Sequence, residues 1–176
     1  MIRRKMADVV LKVLILGSEN VGKSNFKRLA DRYFQTDYKP VVGVNVLSKT
    51  VPVRVGGKKI NAMISLWDIS SKTRFEEIRK LFFKGGVGAL FVFDLTNSST
   101  WFQVIECYKD IVLKSQHIPF MVTGNLEQEA KSKIDIEDVK TWVDQHGGHF
   151  VLIDPKNNSL LEKTFVNLIT EIVSPK

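Results

Sequence analysis

The segment GSENVGKS, residues 17–24, has the spacing G-x-x-x-x-G-K-S of a loop that binds phosphate groups. In such a loop the backbone N–H groups donate to phosphate oxygens, the lysine reaches the outer phosphates and the serine hydroxyl ligates Mg²⁺. Glu19 is unusual here, because its carboxylate lies in a loop that wraps around an anionic ligand. We predict that the phosphate-binding residues are Glu19, Asn20, Val21, Gly22, Lys23, Ser24 and Asn25.

The elements around this loop indicate how it is positioned. Short apolar runs such as KVLILG and ALFVFDL alternate with segments of helical periodicity. Strands that are apolar on both faces are typical of sheets covered by helices on both sides, and Gly56-Gly57 predicts a tight antiparallel turn. We therefore predict an α/β fold with a six-stranded, mostly parallel sheet, helices on both faces and one antiparallel edge hairpin. Ligands of such sheets bind at the carboxyl ends of the strands.

Two helix starts are also predicted. Ser98-Ser99 precedes TWFQVIECYKDIVL, and Asp135 precedes IEDVKTWVDQ. Serine and aspartate side chains at these positions accept hydrogen bonds from the free N–H groups of a first helical turn. A glycine pair after the second segment predicts its end.

Composition is that of a single globular domain, residues 1–176, with residues 1–8 as a basic lead-in to the first strand. Of the 176 residues, 44% are hydrophobic and 26% are charged, which suits a sizeable core. The one cysteine, Cys107, excludes an internal disulfide and indicates a reducing compartment. No apolar stretch approaches the roughly 20 residues that cross a bilayer, and the C-terminal IVSPK has no cysteine to prenylate. We expect a cytoplasmic protein.

The net charge of +7 admits an acidic membrane surface or a nucleic acid as partner. However, the lysines and arginines are scattered through segments such as RVGGKKI and KTRFEEIRK, and no basic block contains interleaved aromatic residues. A solvated basic surface is therefore the favoured interpretation. We expect no nucleic-acid partner, and any association with a membrane would be peripheral, on its cytosolic face.

The loop lies between the predicted strand KVLILG and the predicted helix NFKRLADRYF, which is the strand-loop-helix order that its motif requires. With this motif and the segments below, the chain resembles a Ras-superfamily small GTPase of the Rab branch. The resemblance runs from about Lys12 to Ile172. LWDISSKTRF is similar to the IWDTAGQERF of Rab proteins, and YKPVVGVNV is similar to their first switch. The resemblance implies a P-loop NTPase small G domain that binds GDP or GTP with Mg²⁺. It also implies effector or regulator proteins as partners, in signalling or vesicle traffic.

The second switch departs from the family pattern Asp-x-x-Gly-Gln. Asp68 is kept, so the resemblance implies that Ser24 and Asp68 together serve the metal. Ser71 replaces the flexible glycine that meets the γ-phosphate. Lys72 replaces the glutamine that orients the attacking water, and an ammonium group has three donors and no acceptor. We assign no catalytic residue with certainty and predict impaired hydrolysis; Lys72 either faces a bound phosphate as a point charge or lies in solvent.

The first switch departs in the same direction. The family threonine that ligates Mg²⁺ and touches the γ-phosphate falls on Val41, which supplies no oxygen. The order-to-disorder switch of small GTPases depends on that contact, so we expect no conventional two-state response. Glu19 would further disfavour a triphosphate by charge repulsion.

The base pocket implied by the resemblance is also altered. The family's Asn-Lys-x-Asp falls on Asn125, Leu126, Glu127 and Gln128, so an amide replaces the aspartate that accepts two guanine hydrogen bonds. A shifted alignment would place Glu127 there instead. The base-binding residues implied are Phe34, Asn125, Gln128, Pro155 and Lys156, of which Pro155 has no N–H for the guanine carbonyl.

The family's partner face falls on Val46, Trp67 and Phe82, although Trp67 and Phe82 could equally be half-buried packing residues. We predict a Rab-like pseudo-GTPase that binds a guanine nucleotide and acts through protein partners. Two alternatives stay open. One is an active GTPase that uses substitute catalytic residues, and the other is a nucleotide-free scaffold.

Overall fold

The computed structural model describes residues 7–23, 39–41, 44–69, 81–113, 117–125, 131–153 and 159–174. These residues form one sheet of seven strands and three α-helices. The strands are β1 (Val9–Leu16), β2 (Lys39–Val41), β3 (Val44–Val55), β4 (Lys58–Ile69), β5 (Gly88–Asp94), β6 (Phe120–Asn125) and β7 (His149–Ile153). The helices are α1 (Ser98–Tyr108), α2 (Ile136–Gln145) and α3 (Ser159–Val173). A π-helical turn, Lys109–Leu113, continues α1.

The strand order is β2-β3-β4-β1-β5-β6-β7. β1 pairs in parallel with β4 and β5, and the pairs β5–β6 and β6–β7 are also parallel. β3 is antiparallel to β4, and Gly56 and Gly57 turn this hairpin with φ angles of 54° and 80°. The predicted α/β fold with a mostly parallel sheet and one antiparallel hairpin is therefore confirmed.

A seventh strand was not predicted. β2 has only three residues, and it pairs antiparallel with the first residues of β3. The segment YKPVV has no apolar run of strand length and contains Pro40. Its residue pattern therefore does not predict a strand. The pairing depends on the neighbouring strand, which the local sequence does not specify.

The core lies on both faces of the sheet, and residues of the central strand β1 contribute to it on each face. Val13 and Ile15 belong to one buried cluster, which includes Leu168 of α3. Leu14 belongs to the other cluster, which includes Val104 of α1. Successive strand residues point to opposite faces, so a strand buried on both sides must be apolar throughout, as KVLILG is after its lysine.

Capping fixes where two helices begin. The side chain of Asp135 accepts a hydrogen bond from the Glu137 N–H at 2.8 Å, as predicted for the start of α2. For α1 the prediction of Ser98-Ser99 is one residue late. The cap is Asn97, whose side-chain oxygen accepts from the Ser99 N–H at 3.2 Å. Asparagine and serine are both good caps, and the backbone selects Asn97, whose φ of −134° and ψ of 99° are extended.

The carboxyl ends of the parallel strands lie along one edge of the sheet, and this edge positions the candidate site. β1 ends at Leu16, directly before the loop, and Asn125 ends β6. Asp68 lies next to the end of β4, where it pairs with Ile15 of β1. Among the described residues, no helix is long and apolar enough to cross a membrane.

Candidate functional site

The loop after β1 has a backbone that two of its residues are suited to adopt. Gly22 has a φ angle of 89°, and Asn20 has a φ angle of 61°. Side chains other than those of asparagine and aspartate rarely occupy this left-handed region, and glycine occupies it without strain. Space is restricted as well, since a Cβ atom on Gly22 would lie 2.4 Å from Nδ2 of Asn125. The loop therefore approaches the end of β6 as closely as a glycine permits.

Lys23 is held across the loop by its own backbone. Its ammonium group donates to the carbonyl oxygens of Gly17 and Ser18, the latter at 3.0 Å. The side chain is half-buried, so the charge is fixed over the loop. A cation in this place is what the phosphate-binding motif requires.

Glu19 is exposed at the outer part of the loop. Its carboxylate is therefore solvated, and water weakens its effect on a nearby anion. At about 4 Å, two unit charges in water repel by only about 1 kcal/mol, and the value rises severalfold if a ligand excludes the water. Glu19 is a modest obstacle to an anionic ligand and not a barrier to one.

Asn125 is the most informative residue of this edge. It is buried, with 8% of its surface exposed, and its carbonyl oxygen accepts a hydrogen bond from the Leu95 N–H at 2.9 Å. Its side-chain amide lies against Gly22, and no donor or acceptor of the described residues pairs with that amide. A buried amide without a partner costs about 1–3 kcal/mol. A ligand that hydrogen-bonds to this amide would recover this energy, so the site fits a nucleotide that reaches from the loop towards β6.

Asp68 lies on the same edge, one strand away from the loop. It is half-buried and pairs in register with Ile15 on one side and Asn45 on the other. This position beside the loop is compatible with the predicted support of Mg²⁺. The other predicted metal residue, Ser24, lies outside the described residues.

Several other predicted site residues also lie outside the described part of the chain, and their roles stay predictions. They are Asn25, Phe34, Ser71, Lys72, Leu126, Glu127, Gln128, Pro155 and Lys156. Val41 is described only as the last residue of β2. Of the predicted nucleotide-site residues, the structure therefore places residues 19–23, Asp68 and Asn125 at the same edge of the sheet.

A link between the loop and α1 was missed by sequence reasoning. The hydroxyl group of Ser18 donates a hydrogen bond to the side-chain oxygen of Gln103. These residues are 85 positions apart, and no motif connects them. The link ties the first turn of the loop to α1, so this helix contributes to the shape of the site.

The predicted partner face is assembled in the structure. Val46 and Trp67 are paired across β3 and β4, and the Trp67 and Phe82 rings are 6.1 Å apart. All three side chains are half-buried and pack against the core cluster on that face. The Lys12 ammonium lies 3.9 Å from the centroid of the Trp67 ring and donates to the Lys84 carbonyl oxygen at 2.9 Å. Burial lowers the pKa of the Lys12 side chain below its usual value.

Fold and loop together define an α/β protein of the P-loop class. Residues 12–174 match the family model described as Ras family. The chain is 28% identical to Ras-related protein Rab11C of Nicotiana tabacum, over 94% of this chain and 74% of the relative. It is 30% identical to Ras-related protein YPTC6 of Chlamydomonas reinhardtii, over 94% of this chain and 76% of the relative. The chain belongs to the Ras family and is a Rab-like small GTPase by descent, which confirms the predicted resemblance.

Members of this family share a ligand and a mode of action. Small GTPases of this family bind guanine nucleotides with Mg²⁺, and they act through effector and regulator proteins.

Proposed function

We propose that this chain binds a guanine nucleotide, with GDP and Mg²⁺ as the resident ligand, and that its hydrolysis of GTP is impaired. In this proposal the protein acts through protein partners in membrane traffic or signalling, as a single G domain. The observation that carries the proposal is the buried Asn125 amide beside Gly22, which has no partner among the described residues.

The diphosphate part of the site is supported by the loop itself. Lys23 supplies a cation that is held over the loop. The backbone N–H groups from Glu19 onwards would donate to phosphate oxygens. Ser24 and Asp68 are the residues that would hold Mg²⁺. Bound there, Mg²⁺ would offset the negative charge of the phosphates.

The triphosphate part of the site lacks the residues that the family uses. Lys72 cannot accept a hydrogen bond from water, Ser71 restricts the backbone that meets the γ-phosphate, and Val41 offers no oxygen to the metal. Each substitution weakens contacts that are specific to GTP or to the transition state. The exposed Glu19 adds a small repulsion of the same sign.

The test is to identify and quantify the nucleotide released when the purified protein is denatured, and then to measure single-turnover hydrolysis after loading with GTP. We expect GDP to be released, and hydrolysis at or below the rate of an unassisted small GTPase, about 10⁻⁴ per second. Turnover like that of an activated family member would show an active GTPase with substitute residues. If the protein neither releases nor binds any nucleotide, the alternative of a nucleotide-free scaffold is supported.

Lys23→Ala is the matched perturbation, and Lys140→Ala is its control. Lys140 is an exposed helix residue whose ammonium pairs with Glu137 at 2.6 Å, far from the loop in sequence and on α2. We expect Lys23→Ala to abolish binding of GDP and ADP alike, because the phosphates provide most of the affinity. Lys140→Ala should bind GDP like the parent. Tight binding by Lys23→Ala would show that the nucleotide is held in another way.

The scaffold alternative is favoured by one observation. The Lys23 ammonium already has two acceptors in the loop's own carbonyl groups, so the loop can fold without a phosphate. The same denaturation experiment decides between the two functions.

A further inference from the structure

The two carbonyl groups that hold the Lys23 ammonium are supported in different ways. One belongs to Gly17, which is wedged against β5, since a Cβ atom there would overlap the Val92 carbonyl oxygen. The other belongs to Ser18 and accepts from the Lys23 ammonium at 3.0 Å. Gly17 is therefore fixed by its fit against a strand, whereas the position of Ser18 depends on a different neighbour.

That neighbour is Gln103 of α1, whose side-chain carbonyl oxygen accepts a hydrogen bond from the Ser18 hydroxyl. Beside this hydrogen bond, the loop and the helix are separated by a cavity of about 20 Å³. Its walls include Leu16 and Gly17 on the side of β1 and Val104 and Cys107 on the side of α1. A cavity of this size has room for roughly one water molecule, and its walls lack the contacts of close packing. The hydrogen bond therefore ties the loop to the helix where packing leaves a gap.

The first turn of α1 is anchored to the end of β5, which makes the helix a firm support. The Thr100 hydroxyl donates to the Asn97 carbonyl oxygen at 2.7 Å and accepts from the Asp94 N–H at 3.0 Å. Asn97 also caps the helix, and Val104 is buried in the core. Gln103 lies one turn beyond Thr100, so β5 and the core determine where its backbone stands.

We propose that Gln103 is a positioning residue of the phosphate loop. It holds the Ser18 hydroxyl, and the carbonyl group of Ser18 holds the Lys23 ammonium, so Gln103 sets where this cation meets a phosphate. The peptide group that follows Ser18 also carries the Glu19 N–H, the first of the proposed phosphate donors. This inference rests on the proposed function, because the place of Lys23 affects a ligand only if the loop binds phosphate groups.

A positioning role in the phosphate loop predicts an effect on the phosphates and not on the base. Gln103→Leu keeps the length of the side chain and removes the acceptor. The net contribution of one hydrogen bond corresponds to about three- to tenfold in Kd. We therefore expect Gln103→Leu to weaken the binding of GDP and ADP by the same factor, within this range. A residue that acted on the base would change the Kd of GDP more than that of ADP.

The first experiment titrates GDP and ADP, each with Mg²⁺, into the full chain by calorimetry. The parent is compared with Gln103→Leu, Ser18→Ala and the double variant. Because both single variants break the same hydrogen bond, the double variant should lose no more affinity than one single variant does. If the two losses add in full, the two side chains act separately and the inference is overturned.

The matched control is Gln145→Leu, the same substitution in another helix. Gln145 is exposed at the end of α2 and precedes the start of β7, which lies at the edge of the sheet opposite the loop. This control should bind GDP like the parent, within about twofold in Kd. If Gln103→Leu does not fold, Ser18→Ala is measured alone, and the same loss is expected from it.

The second experiment follows amide hydrogen exchange in EDTA without nucleotide, so it does not depend on ligand binding. In Gln103→Leu and Ser18→Ala, the amides of residues 18–23 should exchange at least about threefold faster than in the parent, because one hydrogen bond no longer opposes local opening. Amides of β1 and β5 should keep their rates, whereas a general loss of stability would accelerate them as well. Gln103→Glu keeps an acceptor oxygen at the same reach and should keep the parent rates in the loop.

The two experiments together separate the inference from the proposed function. Unchanged exchange in the loop of Gln103→Leu would show that Gln103 does not hold Ser18, which overturns the inference. Faster exchange with unchanged Kd values for GDP and ADP would overturn it too, because the link would then have no effect on the phosphates. If the parent binds neither nucleotide, the proposed function fails and the exchange rates decide the inference: acceleration confined to the loop and absent in Gln103→Glu supports it, and equal rates overturn it.

Discussion

The contact between Gly22 and Asn125 allows a quantitative test of the site by a double-mutant cycle. Gly22→Ala adds a Cβ atom that would lie 2.4 Å from Nδ2 and 2.9 Å from Cγ of Asn125, at a φ angle of 89°. The left-handed backbone costs an alanine about 1–2 kcal/mol. Displacing the Asn125 amide in a packed site costs a further 1–3 kcal/mol, roughly. We expect Gly22→Ala to lower the free energy of unfolding by about 2–5 kcal/mol in total.

Asn125→Ala removes the displaced group, so only the backbone part of this cost should remain in its background. The interaction energy between the two substitutions should then be about 1–3 kcal/mol. Urea unfolding of the parent, the two single variants and the double variant, in EDTA and without nucleotide, measures it. If the two effects add within about 0.5 kcal/mol, Asn125 does not lie against the loop and the reasoning fails.

The same Asn125→Ala variant separates stability from binding. Its amide has no partner among the described residues, so its removal should cost less stability without ligand than a paired amide would. With GDP present, the variant should lose about 1–3 kcal/mol of binding, which is roughly 5–150-fold in Kd. Equal Kd values for the parent and the variant, measured by calorimetry, would show that the amide does not contact the nucleotide.

Three further predictions concern residues in the switches, the base pocket and the hairpin. Lys72→Gln alone should not restore GTP hydrolysis in single-turnover assays, because Val41 still leaves the γ-phosphate without its metal contact; a rate that rises to the family's unassisted value or beyond would contradict this. Gln128→Asp should strengthen GDP binding selectively over ADP in competition titrations, and no change would indicate that Glu127 is the acid that faces the base. Arg54→Glu should raise the free energy of unfolding by about 0.2–1 kcal/mol, because it replaces a repulsive cross-strand pair with an attractive one. A lower midpoint of urea unfolding for this variant would refute the pairing of Arg54 with Lys59.

Local patterns in the sequence were sufficient for the features that depend on a few neighbouring residues. The phosphate loop, the Gly56-Gly57 turn and the Asp135 cap each arise from the backbone preferences or side-chain hydrogen bonds of consecutive residues. The two-sided burial of β1 was also predictable, since an uninterrupted apolar run leaves no polar face for solvent. For the same reason the fold class followed from the alternation of such runs with helical segments.

Tertiary structure decided the features that join distant parts of the chain. The order of the strands brought Asn125 against Gly22, and α1 brought Gln103 to Ser18, although neither pair has a local signal. Register decided that Arg54 faces Lys59, because a shift by one residue would have sent every side chain to the other side of the sheet. Sequence alone therefore indicated which groups could hold a phosphate, and packing between segments determined that the buried Asn125 amide lies against Gly22.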